Sequence, residues 1–138
     1  MSYSDEEQLN LNAVTHALKD AAEDFANLAG VFADDIKWTI VGHGYVARTF
    51  NGMKDLLDNG ETALFQRISG HLKVTSKGVW ADGDKVFVHM SSAGQAIDGK
   101  PYKNEYMYIL TMKDGKAVSC TAWLDLYAYY HIIERVQV

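Results

Sequence analysis

Cysteine, proline and long apolar runs are nearly absent from this 138-residue sequence. Cys120 is the only thiol, so the chain can form neither an internal disulfide nor a multi-cysteine zinc site, and it fits a reducing compartment. The acidic N-terminus lacks the basic and apolar regions of a signal peptide. No run approaches the roughly 20 apolar residues that span a bilayer. We therefore expect a cytoplasmic protein with no membrane partner.

Basic charge is scarce as well. The chain has 13 Lys and Arg against 18 Asp and Glu, which gives a formal net charge of −5. The basic residues are scattered, and nucleic-acid binding needs a basic face, so we expect no nucleic-acid partner. No His-x-His pair, Cys/His cluster or Glu-x-x-His helix occurs, so we expect neither a metal nor another cofactor.

The length and composition suit one globular domain. Hydrophobic residues make up 48% of the chain and charged residues 22%, which is ordinary for a soluble fold. A domain of this size buries roughly two-thirds of the surface of its unfolded chain and needs no disulfide or metal. Since no linker or internal repeat interrupts the sequence, we expect a single domain over residues 1–138.

The first third of the chain has the pattern of helices. Ser4 and Glu7 form a capping-box motif, and apolar residues then recur about every 3.6 positions as far as Ala21. Asp24 is a good cap for a second, shorter helix. Residues 36–41 alternate apolar and polar side chains and predict a half-buried strand.

Further along, a glycine-rich loop over residues 42–45 precedes a short helix that Asn51 can cap and that Asn59-Gly60 closes. Four strands then follow, with the last leading into a short apolar tail; we place them at residues 72–80, 85–93, 102–112 and 117–126. Asp-Gly pairs separate them and are typical of hairpin turns, so the pattern predicts an antiparallel meander. Helices followed by a meander favour an α+β fold, in which a curved sheet encloses a cavity.

Several segments resemble a known superfamily. Phe32–Asp35, a strand with Trp38, and Phe50–Gly52 opening a helix resemble the nuclear transport factor 2-like (NTF2-like) fold. Asp98–Tyr102 and Trp123–Leu126 are similar to its SnoaL-like, ketosteroid isomerase-like branch. The resemblance covers nearly the whole chain and implies a cone-shaped α+β domain, with N-terminal helices packed in the concave face of a curved, mainly antiparallel sheet.

The superfamily includes ketosteroid isomerases, limonene-epoxide hydrolases, polyketide cyclases and non-catalytic binding or assembly modules, so the fold alone assigns no chemistry. The resemblance places the isomerase base at Ile40, its helical tyrosine at His16 and its protonated Asp near Tyr106 or Tyr108. The hydrolase triad falls near His89, Ser91 and Ala122, and the cyclase acid also falls near Ala122. Each of these three enzyme types would therefore lack its key acid in this chain.

The resemblance also implies which side chains line the cavity. If Trp38 and Ile40 point inward, strand alternation adds one set of residues from each meander strand. The predicted ligand-binding set is Trp38, Ile40, Phe87, Ser91, Tyr108, Ala122 and Leu124, with His89, Tyr106 and Cys120 also facing inward. Such a pocket is aromatic, nearly free of carboxylates, and suited to a small hydrophobic molecule.

Histidine is the candidate acid or base, because its unperturbed pKa lies near neutral pH. His89 is the first candidate, although it could instead only hydrogen-bond Ser91 or a tyrosine. His16, on the apolar side of the first helix, is the second, and it could equally be a core histidine. His43 lies in a loop that could close the pocket mouth or could simply be exposed. Asp125 has the opposite parity to Leu124 and is expected to face away from the cavity.

Two classes of function remain open. The first is an isomerase-, cyclase- or hydrolase-like enzyme acting on a small apolar or carbonyl-bearing substrate, with His89 or His16 as acid/base and Tyr106 as a hydrogen-bond donor. The second is a non-catalytic ligand-binding or dimerisation module. The missing family carboxylates favour the second class, whereas polar groups inside an aromatic pocket favour the first.

The same alternation predicts an apolar stripe on the convex face of the sheet. Its members come from three neighbouring strands: Val86, Val88, Met90, Met107, Ile109 and Trp123. Contiguous apolar patches of this kind are uncommon on monomers, and two-fold dimers are the commonest closed assembly. We therefore expect a homodimer.

Overall fold

The first helix, α1, begins at the predicted capping box. In the computed structural model, which describes residues 2–138, α1 spans Asp5–Ala21. Ser4 Oγ accepts a hydrogen bond from the Glu7 amide at 3.1 Å, and the Glu7 carboxylate accepts one from the Ser4 amide at 2.8 Å. The other Glu7 oxygen accepts from the Gly83 amide at 2.8 Å, which ties the start of α1 to a turn of the sheet.

The remaining elements follow in the order helix, strands, helix, strands, helix. A 3₁₀ helix precedes β1 and β2, a helical segment with a π-helical turn in its middle precedes β3–β6, and α4 ends the chain. The bounds are 3₁₀ Phe25–Val31, β1 Phe32–Ile40, β2 Thr49–Asn51, α2 Met53–Leu56, π turn Leu57–Glu61, α3 Thr62–Phe65, β3 Ile68–Asp82, β4 Lys85–Ala96, β5 Pro101–Lys113, β6 Lys116–Leu124 and α4 Leu126–Arg135.

The six strands form one sheet in the order β2-β1-β6-β5-β4-β3. Every neighbouring pair is antiparallel except β1 and β6, which are parallel. The pairing of β3 with β4 shifts between Ser69 and Lys73 and again between Ser76 and Gly78, and such irregularities bend a sheet. The curved, mainly antiparallel sheet with helices on its concave face confirms the predicted cone-shaped α+β fold.

Some predicted bounds were wrong. β1 begins at Phe32 instead of residue 36, because Asp24 caps only one short 3₁₀ helix that ends at Val31. The helix that was expected to close at Asn59-Gly60 continues through the π turn to Phe65, and Gly52 stands at its N-cap in place of Asn51. The last strand ends at Leu124 instead of residue 126, and the predicted apolar tail forms helix α4.

Helices and sheet bury one continuous apolar core. The inner face of α1 contributes Leu11, Val14 and Leu18, and it packs against β3 and β4. From the sheet, Val86 and Val88 are fully buried beneath it. Within residues 2–138, no helix is both long and apolar enough to cross a membrane.

Asp125 caps helix α4 at the point where β6 ends. Its Oδ1 accepts a hydrogen bond from the Ala128 amide at 3.2 Å. The buried side chain of Asn104 holds the Asp125 backbone from the other side, accepting from its amide at 2.9 Å and donating to its carbonyl at 3.0 Å. These bonds fix the start of α4 at the end of β6.

Replacing Asp125 with Ala removes this N-cap acceptor, so we expect the free energy of unfolding to fall by about 1 kcal/mol. Asp125→Asn keeps the acceptor oxygen and should be close to the wild type in urea denaturation. Equal stability of the Ala and Asn variants would contradict the capping role.

Candidate functional site

A pocket lies between the concave face of the sheet, the helical segment 53–65 and α4. Its cavity volume is about 50 Å³. The lining is mostly aliphatic and aromatic and is contributed by seven parts of the chain: Phe25, Trp38, Ile40, Val46, Leu56, Gly60, Glu61, Leu64, Phe65, Tyr106, Tyr108, Ala122, Leu124 and Tyr129. No histidine is among these residues.

The strand residues of the pocket share a face because of the register between β1, β6 and β5. Ala122 lies opposite both Ile40 and Tyr108, and Leu124 lies opposite Tyr106. Directly opposed residues of neighbouring strands point to the same side of a sheet. Six of the proposed site residues therefore border the pocket, with Trp38 as the sixth; whether they bind a ligand stays a prediction.

On β4 the predicted orientation was wrong by one residue. Val88 lies opposite Tyr108, and Met90 lies opposite Tyr106, so Val86, Val88 and Met90 are buried on the concave face. The alternating residues are half-buried on the convex face: Phe87, His89 and Ser91. The physical reason is the β4–β5 register, in which a residue of β4 faces the same side as its partner on β5.

His89 is consequently a surface residue. Its Nε2 lies 2.6 Å from the Glu105 carboxylate, which also accepts from Lys77 Nζ at 3.1 Å. The hydrogen bond from His89, followed by that from Lys77, lowers the pKa of the Glu105 carboxyl below its usual value. His89 thus belongs to a charged cluster outside the pocket, and the prediction that it faces the cavity was wrong.

The other two histidine candidates also lie away from the pocket. The side chain of His16 is 81% exposed, and its Nε2 lies 3.7 Å from Asp20 on the solvent side of α1. His43 is exposed in the loop between β1 and β2. The predictions of an inward-facing His16 and of a pocket-closing His43 side chain are not supported by their positions.

The sequence analysis missed Glu61, the only carboxylate in the pocket lining. Glu61 ends the π turn, and turns of this kind are rare and frequently found at functional sites. Desolvation of its carboxyl is the only cause that shifts its pKa, and it raises the pKa from 4.5 to about 7. The residue as a whole keeps intermediate exposure, since part of its surface is pocket wall.

A signal for Glu61 was present in the sequence. If the helix is continued past Gly60, Leu57, Glu61 and Leu64 recur at the helical spacing of four and three residues. Ending the helix at Asn59-Gly60 removed Glu61 from the inner face. Gly60 instead lies buried against Phe50 within the continuous helical segment.

Aromatic rings form a continuous wall beside Glu61. Trp38 and Tyr108 pack edge to face with centroids 4.9 Å apart, Tyr106 and Tyr108 are 5.7 Å apart, and Phe25 lies 5.5 Å from Tyr106. Tyr106 Oη shares a 2.7 Å hydrogen bond with Ser92 Oγ. Burial raises the pKa of Tyr106 and of Tyr108 well above their usual values, so both hydroxyls stay neutral.

Helix α4 holds the mouth of the pocket. Tyr130 Oη donates to the His43 carbonyl at 3.0 Å and accepts from the Val46 amide at 3.1 Å. A Cβ on Gly44 would lie 2.3 Å from Tyr130 Oη, and Gly44 also has a φ of +98°, so this close approach requires glycine. One residue earlier, Tyr129 Oη donates to the Gly60 carbonyl at 2.8 Å and fixes the backbone next to Glu61.

The profile of the SnoaL-like domain family matches residues 13–120 of the chain. This chain is a member of the SnoaL-like family. The resemblance seen in the sequence is thereby confirmed. None of the curated proteins matches the sequence.

Solved structures similar to this SnoaL-like chain have the same fold. A candidate SnoaL-like polyketide cyclase from Jannaschia sp. CCS1 is 16% identical, with a TM-score of 0.74 over 99% of both chains. TerC, co-crystallised with polyporic acid, is 18% identical, with a TM-score of 0.70 over 91% of this chain and 98% of its own. Bal32a, from a soil-derived mobile gene cassette, is 17% identical, with a TM-score of 0.73 over 93% and 98%. At these identities the similarity shows the fold alone.

In the SnoaL-like chain, the buried Glu61 should make stability depend on pH. The carboxyl ionises near pH 4.5 in the unfolded chain and near 7 in the folded one. Its contribution to stability is therefore complete below pH 4.5 and is lost as the pH rises through 7. We expect Glu61→Gln to be more stable than the wild type at pH 8 by about 2–3 kcal/mol in urea denaturation, and to lose this advantage near pH 4.5. The exposed substitution Glu23→Gln should leave the pH dependence unchanged, and a pH-independent difference for Glu61→Gln would contradict the assignment.

Proposed function

We propose that this SnoaL-like chain binds a small, largely apolar molecule, aromatic or carbonyl-bearing, in the concave pocket, and that the pocket supports isomerase- or cyclase-like proton transfer. The observation that carries this proposal is the composition of the lining. Aromatic rings and aliphatic groups surround a single carboxyl and a few neutral hydroxyls. Sites for small molecules typically combine an apolar wall with a few oriented polar groups.

The polar groups of the pocket favour a neutral ligand. Neither Lys nor Arg is part of the lining, so a permanent negative charge would find no partner there. Among residues 2–138, the Tyr108 hydroxyl has no hydrogen-bond partner, and Tyr108 lines the pocket. A carbonyl oxygen is the acceptor that such a neutral hydroxyl suits.

Similar structures support the ligand class only in general terms. TerC was crystallised with polyporic acid, and the Jannaschia protein is described as a candidate polyketide cyclase. Both descriptions connect a protein of this fold with a small organic molecule. Ile40 and Ala122 stand in the pocket where the resemblance places the family's acids, and this observation favours the second candidate, a binding module without turnover.

Filling the pocket tests ligand binding. Ala122 is fully buried opposite Tyr108, and Ala122→Phe should occupy the space beside the aromatic wall. With 2-naphthol as the probe, we expect the dissociation constant from fluorescence titration to rise at least about tenfold, since overpacking a small pocket costs 1–3 kcal/mol, roughly. Thr121→Phe places the same ring on the convex face and should bind the probe like the wild type. Ala122→Val, a smaller change, keeps the test valid if the Phe variant does not fold, and should weaken binding less. Unchanged affinity in the folded Ala122 variants would contradict the proposed binding site.

We also propose that the convex face of the sheet pairs with a second copy of the chain. The apolar stripe predicted on the convex face has a different composition on β4. Val86, Val88 and Met90 face the concave side, and Phe87 faces the convex side instead. Phe87 lies opposite Ile109, and Met107 lies opposite Trp123, so these four side chains form two adjacent apolar rungs. Trp123 is 41% exposed, and Trp80 next to Phe87 is 49% exposed. An apolar patch of this extent supports a two-fold interface.

A charge in the middle of this patch should disrupt the dimer. We expect wild-type protein at micromolar concentration to sediment with dimer mass and Ile109→Lys to sediment with monomer mass. Val138→Lys, an equally charged change at an exposed terminal residue, should remain dimeric. Monomer mass for the wild type would refute the proposed interface, and it would leave the pocket proposal untouched.

A further inference from the structure

We infer that Glu61 is the proton-transfer residue of the pocket, and that its carboxyl group exchanges a proton with a carbon atom of an apolar substrate held against the aromatic wall. This inference rests on the proposed function, because it requires that a small molecule enters the pocket. It replaces the histidine chemistry expected from the sequence with a carboxylate carried by a helix. The base is not at the strand position that the family resemblance implies, Ile40, whereas the hydroxyl donor, Tyr108, lies near the position that it implies for the protonated Asp.

The Glu61 carboxyl lies in the wall of the pocket. Glu61 is the only acidic residue of the lining, and its carboxyl is buried. No hydrogen bond or ion pair within residues 2–138 accounts for its oxygens, and burial alone perturbs it. Glu61 lines the pocket, and its oxygens have no hydrogen-bond partner among residues 2–138. A carboxyl in the pocket wall with no structural partner is therefore available to a ligand.

The backbone next to Glu61 is held by neighbouring side chains. The Tyr129 hydroxyl donates to the carbonyl of Gly60, immediately before Glu61. A Cβ on Gly60 would contact Phe50 and Leu56 at 3.4–3.5 Å, so the turn is packed on its other side. Tyr129 is thus a positioning residue for Glu61. A base fixed on a packed helical turn loses little orientation freedom when a substrate binds.

The proton affinity of the Glu61 carboxyl suits proton transfer near neutral pH. With a pKa of about 7, the Glu61 carboxyl exists in both protonation states near neutral pH, as a group that takes up and returns a proton must. Burial is the main cause that raises the pKa of Tyr108, and Tyr108 and Glu61 both line the pocket. A neutral tyrosine hydroxyl beside the base can donate to a developing oxyanion.

The implied reaction balances without a cofactor. A carbon next to a carbonyl gives its proton to the Glu61 carboxylate, and the electron pair of the C–H bond moves onto the carbonyl oxygen, which accepts a hydrogen bond from Tyr108. The carboxylic acid then returns the same proton to another carbon of the substrate. The oxyanion electron pair moves back, so the product is an isomer and Glu61 is again a carboxylate.

Other titratable groups of the molecule do not compete for this role. Cys120 is 2% exposed, lies outside the lining, and its burial raises the pKa of its thiol well above the usual value, so it remains a neutral thiol. His89 is paired with Glu105 on the convex face, where their side chains lie 2.6 Å apart and away from the pocket. The group left facing the pocket is Glu61.

A carbon acid of known chemistry tests the inference without the natural substrate. The probe is 5-nitrobenzisoxazole, in which a base removes the ring C–H proton, the ring N–O bond breaks, and the electron pair leaves on oxygen as a coloured phenolate carrying a new nitrile. We expect the wild type to accelerate this reaction, with a rate that rises with pH and levels off above about 7. Glu61→Gln should lose the acceleration by about 10²-fold or more. Glu61→Asp, with a retracted carboxylate, should retain part of it, and Glu23→Gln should match the wild type.

Two further measurements separate the possible failures. Binding of the probe is followed by quenching of tryptophan fluorescence, and the Glu61 carboxyl is titrated by ¹³C NMR, with Glu61→Gln identifying its signal. A probe that binds but reacts no faster than in buffer, or equally fast with Glu61→Gln, overturns the inference and leaves the proposed binding function standing. A probe that does not bind contradicts the proposed function and the inference that rests on it. The titration tests the inference separately, because a midpoint below about 5 would leave Glu61 without the proton affinity that the role requires.

Discussion

The hydrogen-bond register that joins β4, β5 and β6 is the constraint on which the pocket depends. Opposed residues of neighbouring strands share a face, so the pairs Val88 with Tyr108 and Tyr108 with Ala122 determine every inward side chain of these strands. A slip of one residue exchanges the entire set. On β4, the observed register places Val86, Val88 and Met90 on the pocket side of the sheet. It places His89, which pairs with Glu105, on the convex surface.

The aromatic pocket and the buried carboxyl depend on each other. A packed, apolar cavity disfavours the carboxylate form of Glu61. The free energy of unfolding therefore falls as the pH rises and the carboxyl ionises. The same burial gives the carboxyl a proton affinity suited to acid–base work near neutral pH. Stability is therefore reduced at the place where chemistry is proposed, as is common for functional sites. Tyr129 connects the aromatic lining with Glu61, because its hydroxyl donates a hydrogen bond from α4 to the Gly60 carbonyl in the π turn.

Most of the fold could be predicted from local patterns. The Ser4–Glu7 capping box, the Asp24 cap and the hairpin turns lie where the sequence indicates them. Asp114 and Gly115, for example, have φ of 52° and 79°, the paired positive values that a two-residue hairpin turn requires. Resemblance to the NTF2-like superfamily added the cone-shaped architecture and the inward orientation of Trp38, and the SnoaL-like match confirms the family.

The sequence by itself therefore determined most of the elements, because caps, turns and apolar periods act over a few neighbouring residues. Its resemblance to a known superfamily indicated the family. Only the tertiary structure decided which face of β4 lines the pocket, since the register arises from pairing with β5 across a hairpin. It also decided the position of Glu61 in the pocket wall. A glycine after an asparagine locally favours the end of a helix, yet packing of Gly60 against Phe50 and the bond from Tyr129 carry the helix onward. Contacts between segments far apart in the chain overrode the local preference and turned a carboxyl into the pocket.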